Sequence, residues 1–350
     1  MQVKKNKYAV VILCLVLLLI AGCGTKQSAN DNEMKTIVDA SGKQVEVPKN
    51  VNRIADLWHA NNQVVLLLGG ADKLVATTQN VQKLPWFVKV YPRIAQIAAP
   101  VKGVDVQMEE IQKLNPDVVL ASNDEQLAAV QKAGLIGVKV EYQDFAGLKN
   151  VMQITAKVIG ADAEKRADAY IKYLDGTMDY VKKQTANLTE EEKPSVLHIV
   201  GGDDLFKVDG ENTLIDQWIT IAGGRNAVAV EGFQITTTME EIVKNNPDYI
   251  IIGGTQAQKG KDAIMANPAW SSLNAVKNNR VICNPVGTFN WDRYSAEAAL
   301  QLLWAGKLLH PDLFEDLDMT KKTQEFYQEF LHYELSAEDA ERILAGKMPQ

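Results

Sequence analysis

Residues 162–185 read DAEKRADAYIKYLDGTMDYVKKQT. Ala163, Ala167, Tyr170, Ile171, Leu174, Met178 and Val181 step by three and four along this stretch, which gathers them on one helix face and leaves the charges on the other. A helix of that length spans roughly 36 Å at 1.5 Å per residue. It can therefore run from one lobe to another as a single strut, and the polar stretch TEEEKP at 189–194 closes the connection behind it. Two bodies joined by one stiff helix rock through small angles, whereas flexible crossing strands permit wide closure.

The same alternation lies on both sides of the strut. Ahead of it, the short apolar runs at 54–57, 74–76, 118–121 and 138–140 are separated by helix-length stretches such as 61–68 and 125–133. Behind it the pattern restarts with 196–200, 249–252 and 281–283. Buried strands alternating with helices predict a parallel sheet covered on both faces. The expected fold is α/β: two doubly wound lobes, 35–160 and 188–350, joined by one long interlobe helix over 161–187. An internal repeat supports the pairing. Met108-Glu109-Glu110-Ile111, three residues and Asn115-Pro116-Asp117 recur 131 residues later as Met239-Glu240-Glu241-Ile242, three residues and Asn246-Pro247-Asp248. Proline accounts for the helix stop in each copy. It does not account for a paired carboxylate at the same place in both lobes.

The chain begins with a lysine-bearing segment, an uninterrupted apolar run from Ala9 to Ile20, and Ala21-Gly22-Cys23. The run is too short for a bilayer core that takes about 20 residues to cross, so 1–22 reads as a cleaved signal peptide. Ile20-Ala21-Gly22-Cys23 resembles the lipobox of bacterial lipoproteins, which makes Cys23 the lipidation site and 23–34 a lipidated tether. Extracytoplasmic anchoring through lipid follows, since two or three acyl chains hold where one does not. Cysteine usage agrees: with Cys14 cleaved and Cys23 acylated, Cys283 stands alone in a strand pattern, without a disulfide or a cysteine-based metal site. The chain carries 37 Lys and Arg against 44 Asp and Glu; without Lys4, Lys5 and Lys7 the balance is 34 against 44, a net −10. So acidic a body, lacking basic runs, does not collect nucleic acid.

Taken in order, several stretches resemble one family over essentially the whole mature chain. They are IVDASGKQVEVP at 37–48 with Arg53-Ile54 following, the two Glu-Ile-x-x-x-Asn-Pro-Asp units, the long helix, Ala222-Gly223-Gly224-Arg225-Asn226, and WAGKLLHP at 304–311. The family is that of substrate-binding lipoproteins of ABC importers, in the helical-backbone class carrying iron–siderophore complexes, haem, cobalamin and other metal chelates. The resemblance implies a monomer that is not an enzyme and has no resident cofactor. Its ligand, an iron complex (siderophore or haem), sits between the lobes, and its partners are a permease and its ATPase. It also implies that Glu109 and Glu240 dock onto permease arginines, a pairing that sets orientation and on-rate. Glu110 and Glu241 stand beside them as alternatives.

In doubly wound lobes ligands collect beyond the carboxyl ends of the strands. Trp58 and His59 directly follow the first strand run, and Trp86 lies on a later loop. In the second lobe, Phe289-Asn290-Trp291-Asp292-Arg293-Tyr294 follows a strand and precedes a helix whose N-cap is expected at Ser295. Trp291, Arg293 and Tyr294 are its strongest candidates, with Phe206, Lys207 and Phe233 behind them. Trp304 falls within a helical apolar pattern and reads as core. With only seven arginines, the wall offers stacking more than positive charge. That favours a bulky, weakly charged complex: haem, a hydroxamate chelate, a corrinoid, or a nickel or cobalt chelate. If protein touches the metal, His59 and Tyr294 are the donors expected. A bare zinc or manganese site needs about four ligands, and His198, His310 and His332 are poorly placed to join His59.

Two other function classes fit the residues less well. No His-Glu-x-x-His, Gly-x-Ser-x-Gly, P-loop or complete Gly-x-Gly-x-x-Gly occurs, so an extracytoplasmic enzyme lacks its local signatures. An adhesin would leave the two-lobe repeat without a purpose.

Overall fold

The computed structural model describes residues 33–350, Val104 excepted. The signal segment, Cys23 and the tether through residue 32 lie outside the described residues. A hairpin of β1 (Met34–Val38) and β2 (Gln44–Pro48) opens the described chain. The first sheet follows, from β3 (Ile54–Asp56), β4 (Leu74–Thr78), β5 (Ala98–Lys102), β6 (Asp105–Val106), β7 (Val118–Ala121) and β8 (Gly137–Lys139). Its order is β6-β5-β4-β3-β7-β8, parallel throughout except at β6. The chain thus winds outward from β3 on one side and returns to wind outward on the other. The reversal between β3 and β7 is the switch point where such sheets open a crevice.

The second sheet is built on β9 (Ser195–Gly201). In order after it come β10 (Asp204–Val208), β11 (Arg225–Asn226), β12 (Ile235–Thr236), β13 (Tyr249–Ile252) and β14 (Val281–Cys283). Strands β9, β13 and β14 are parallel neighbours, while β10 pairs antiparallel with β9 and carries β12. The two-residue β11 runs parallel to β9.

Side chains alternate across each strand, and the two faces enter different cores. Ile54, Val118 and Leu120 join one cluster, whereas Ala55, Val119 and Ala76 join another. In the second sheet Val196, Tyr249 and Ile251 belong to the first cluster, and Leu197, Ile250 and Ile252 to a third. The inner faces of both sheets therefore share one continuous core. The helix Ala161–Thr185 runs through it, burying Ala163, Ala167, Tyr170, Leu174 and Val181 while Ile171 and Met178 flank the stripe half-buried. It packs on Phe145–Ile159 of the first lobe and on Leu214–Ile221 and Ala298–Leu309 of the second.

The repeat has a structural meaning. Asn115 and Asn246 adopt left-handed backbone at φ 42° and 40°, a conformation asparagine tolerates at a helix end. Asp117 then accepts from Asn52 N and Arg53 N, and Asp248 accepts from Ser195 N. Each copy thereby ties the strand that follows it to the strand beside it.

One buried side chain makes four hydrogen bonds across the lobes. Gln63, on the helix His59–Leu67, donates from Nε2 to Thr288 Oγ1 at 2.7 Å and Glu297 Oε2 at 2.6 Å. Its Oε1 accepts from Ala296 N at 2.7 Å and Ser295 Oγ at 3.1 Å. The expected N-cap role of Ser295 is not what it does. The helix begins at Ala298 with Glu297 at its cap, and Ser295 Oγ instead accepts from Glu297 N while donating to Gln63. All of these groups are buried, so truncating the amide strands several polar atoms at once. Gln63→Ala is expected to lower unfolding free energy by about 3 kcal/mol in urea titration. A loss below about 0.5 kcal/mol, the range of an ordinary surface change, would refute the role.

Candidate functional site

The carboxyl ends of the parallel strands of both sheets open onto one interlobe groove. A cavity of about 410 Å³ is lined from the first lobe by His59, Asn80 and Lys83 and from the second by Gly201, Thr255, Gln256 and Phe289. It continues, through His59 and Asn80, into a crevice of about 470 Å³ beyond β3, β4 and β7, where Trp58, Ser122 and Asn123 stand at the switch point. A further cavity of about 640 Å³ lies between Glu141 and Gln143 of the first lobe and Glu211, Phe233 and Tyr294 of the second.

Aromatic rings form the wall between these spaces. Tyr294 sits 5.7 Å from Trp58, 5.5 Å from Tyr142 and 5.3 Å from Phe233, centroid to centroid. Trp58 meets Tyr142 edge-on at 5.3 Å, and His59 lies 5.5 Å from Phe289. Trp58 and His59 are positioned by Asp56 at the end of β3, which accepts from Trp58 N and from Asn61 Nδ2. Burial pushes the Asp56 carboxyl up to about 8, although both hydrogen bonds oppose this. Burial lowers the His59 pKa, so its imidazole is neutral at pH 7 and able to coordinate. Burial, and then the charge of Asp209, raises that of Tyr294.

Beneath Tyr294 lies a buried charge network. His198 on β9 faces Asp209 Oδ2 through Nδ1 at 2.8 Å and Asp292 Oδ2 through Nε2 at 2.9 Å. Arg293 Nη2 is 3.0 Å from Asp292 Oδ2, 3.6 Å from Asp209 Oδ2, and donates to Val200 O at 3.2 Å. Burial alone would lower the His198 pKa, but the two carboxylates more than reverse it, and a carboxylate oxygen at each ring nitrogen suits the doubly protonated ring. Burial by itself would raise Asp292, and Arg293 and His198 instead hold it far below the usual carboxylate range. The network anchors two loops. Asp209 Oδ1 accepts from Gln234 N beside Phe233, and Asp292 precedes Tyr294; Gln234 and Tyr294 both hold left-handed backbone, at φ 54° and 38°. Such strain persists only where surroundings over-determine it. Gly253 is required here, because a Cβ would fall 2.1 Å from Asp292 Oδ2.

The structure redistributes the expected site residues. Trp58, His59, Phe233 and Tyr294 line the groove. Trp86 and Trp291 are fully buried and offer a ligand no surface; Trp86 Nε1 donates to Lys347 O, so the C-terminal tail covers it. Arg293 is spent on Asp209 and Asp292 instead of facing ligand. Phe206 lies on β10 against Trp270 at 6.1 Å, and Lys207 pairs with Thr236; neither lines the groove cavities. Cys283 is buried as expected and Trp304 packs in the core. His310 contacts Gly223 O and His332 contacts Arg166, both away from His59. Sequence reasoning missed Tyr142, Asn80 and Thr255, each just past a strand end. It also missed the role of His198, whose only signal was a histidine inside an otherwise apolar strand.

With the groove in view, residues 54–285 match the periplasmic binding protein family. The chain belongs to that family. Its members are substrate-binding components of ABC transporters, which bind small ligands and work with permease and ATPase components. The Bacillus subtilis uncharacterized ABC transporter substrate-binding lipoprotein YvrC is 28% identical over 293 residues, 79% of this chain and 89% of that protein. The Haemophilus influenzae molybdate-binding protein MolA is 23% identical over 355 residues, 93% and 99% of the two chains. The crystal structure of a periplasmic solute binding protein from Veillonella parvula superposes with a TM-score of 0.78 at 27% identity, covering 89% of this chain and 97% of that one. Among the described residues no helix is long and apolar enough to cross a membrane.

The network carries a pH signature. A histidine whose pKa is raised on folding stabilises fully below its unfolded value near 6.5, and that contribution is lost as pH rises through the folded value. Asp209 and Asp292, both lowered, lose theirs only as pH falls below about 4. The stability gap between wild type and His198→Gln is therefore expected to be widest near about pH 5–6 and to narrow on the alkaline side in thermal melts. A gap unchanged up to about pH 10 would show that the ring is neutral in the fold.

Proposed function

We propose that this chain is the substrate-binding lipoprotein of an ABC importer, anchored outside the cytoplasm through Cys23. It captures a metal chelate, an iron–siderophore complex or haem, in the interlobe groove and delivers it unchanged to the permease. The observation that supports this most is the ring wall of Trp58, Tyr294, Phe233 and Phe289, contributed by both lobes around a groove. Flat aromatic surfaces recognise area and shape more than charge. Among the described residues no three His, Cys, Asp or Glu side chains are grouped to hold a metal ion, which fits a cargo that brings its own chelator. His59, neutral and beside Phe289, is the residue to complete a metal's coordination, with Tyr294 as the second donor. The same groove suits cobalamin or a nickel or cobalt chelate. Molybdate, which MolA is named for binding, is a small dianion that calls for several cationic or N–H donors, and Arg293 is already engaged.

Titration of tryptophan fluorescence with haem, a ferric hydroxamate, a corrinoid and molybdate tests the reading. Saturable quenching by an intact chelate, recovered chemically unchanged, is the expected result; conversion would indicate an enzyme. Phe233→Ala and Tyr294→Ala are each expected to weaken the bound chelate about ten-fold or more, or about 1.4 kcal/mol. Equal affinity in both variants would place the ligand elsewhere.

The paired carboxylates belong to the same proposal. Glu110 takes Lys113 at 2.7 Å and Glu241 takes Lys244 at 3.5 Å, three residues on in each copy. Glu109 and Glu240 are exposed and, among the described residues, form no ion pair, which favours them as the permease-facing pair. Glu109→Lys with Glu240→Lys is expected to abolish uptake in cells while leaving ligand affinity intact. Unchanged uptake would remove the docking assignment.

A further inference from the structure

The charge lining the groove is one-sided. In the first-lobe crevice the ionisable residues beside His59 are Asp105 and Glu125. The central cavity is lined by both Asp203 and Lys83. The third cavity has Glu141, Glu211 and Glu231 and no basic residue. Among the described residues only Glu141 of these is partly compensated, by Lys139 at 3.1 Å, and that lysine also serves Asp124 at 2.9 Å.

The arginine that might balance them does not. Arg293 and protonated His198 are matched by Asp209 and Asp292, so the network under the aromatic wall is neutral as a unit. Arg293 is also 7% exposed and turned to Val200 O, so it presents no guanidinium face to the groove. A separate observation points the same way. The side-chain oxygen of Asn290, in the wall of the central cavity, is shielded from water without a hydrogen-bond partner, an acceptor awaiting a donor.

Resting on the receptor reading above, we infer that the groove selects its chelate by charge, accepting neutral or cationic complexes and disfavouring anionic ones. Carboxylates of one sign grouped along the cleft, Glu141 half-buried and the others exposed, set a negative potential at its mouth. That potential draws a ligand ammonium inward and opposes carboxylates, catecholates or oxyanions, and it weakens as salt shortens its range. Of the chelates considered, the inference singles out the hydroxamate type with a free amine.

Three probes that share one ferric tris(hydroxamate) core separate charge from shape: one with a terminal ammonium, its N-acetyl derivative and its N-succinyl derivative. Their net charges are positive, zero and negative. Fluorescence titration is expected to give the ammonium form about ten-fold tighter binding than the succinyl form at about 0.02 M salt, with the ratio falling toward one at about 0.5 M. The Glu141→Gln, Glu231→Gln double variant is expected to narrow the ratio at low salt. Equal binding of the three at low salt, or preference for the succinyl form, overturns the inference and leaves the receptor reading intact. If none binds while haem, with its two propionates, does, the receptor reading stands and the charge inference falls. If no chelate binds, both fall together.

Discussion

The amide of Gln63 is a fully buried polar link between the lobes, which Phe145 N on Gln217 Oε1 and Lys89 with Asp339 also join. It sits in the middle of the helix His59–Leu67 that follows β3, and its four hydrogen bonds all reach the segment 288–297 of the other lobe. That segment carries Phe289, Asn290 and Tyr294, so this side chain helps set the distance between His59 and the rings opposite it. Glu297, which completes the hub, also accepts from Thr288 Oγ1, Phe289 N and Tyr327 OH. Burial raises its pKa against those bonds. Every donor and acceptor of the Gln63 amide is answered, which is the condition under which a buried polar cluster sharpens geometry instead of costing stability.

Much of this architecture was legible in the residues. Apolar spacing by three and four located the long helix to within a residue at its start, because a stripe buried between two lobes must recur at the helical period. The strands expected at 249–252 and 281–283 have their observed bounds, and the one at 196–200 falls within a residue at each end. The first-lobe strand Ala98–Lys102 escaped because Pro100 and two exposed ends interrupt its apolar run. The hairpin at 34–48 was seen as a motif but not as paired strands.

The candidate groove was legible only in part, and the reason is physical. A ring placed after a strand end can face ligand or fold under its own loop, and the choice is made by residues far away in sequence. Trp86 is covered by the tail at Lys347, and Trp291 lies fully buried in the shared core. Arg293 looked like a free cation because one of its carboxylates, Asp209, lies on another loop and the other, Asp292, is its own neighbour. Charge compensation is a property of three-dimensional packing, so a residue count could not show that Arg293 is withheld from a ligand. His198 was dismissed as a strand residue. The position was right, yet its two carboxylate partners give it the task of holding Phe233 and Tyr294 in place.

These features limit how the molecule can recognise anything. A core continuous through both sheets, a helix crossing it and a satisfied amide between the lobes leave little freedom for wide closure. Affinity must then come from walls already in position, which suits rigid aromatic rings because few rotamers need be ordered on binding. The strained backbone at Tyr294 and Gln234 belongs to the same logic: its cost is met during folding by the buried charge network, so the wall is set before a ligand arrives. A preformed wall also transmits charge preference faithfully. Glu141, half-buried and tied to Lys139, keeps its distance from the cargo, whereas solvent screens the exposed Glu211 and Glu231 more.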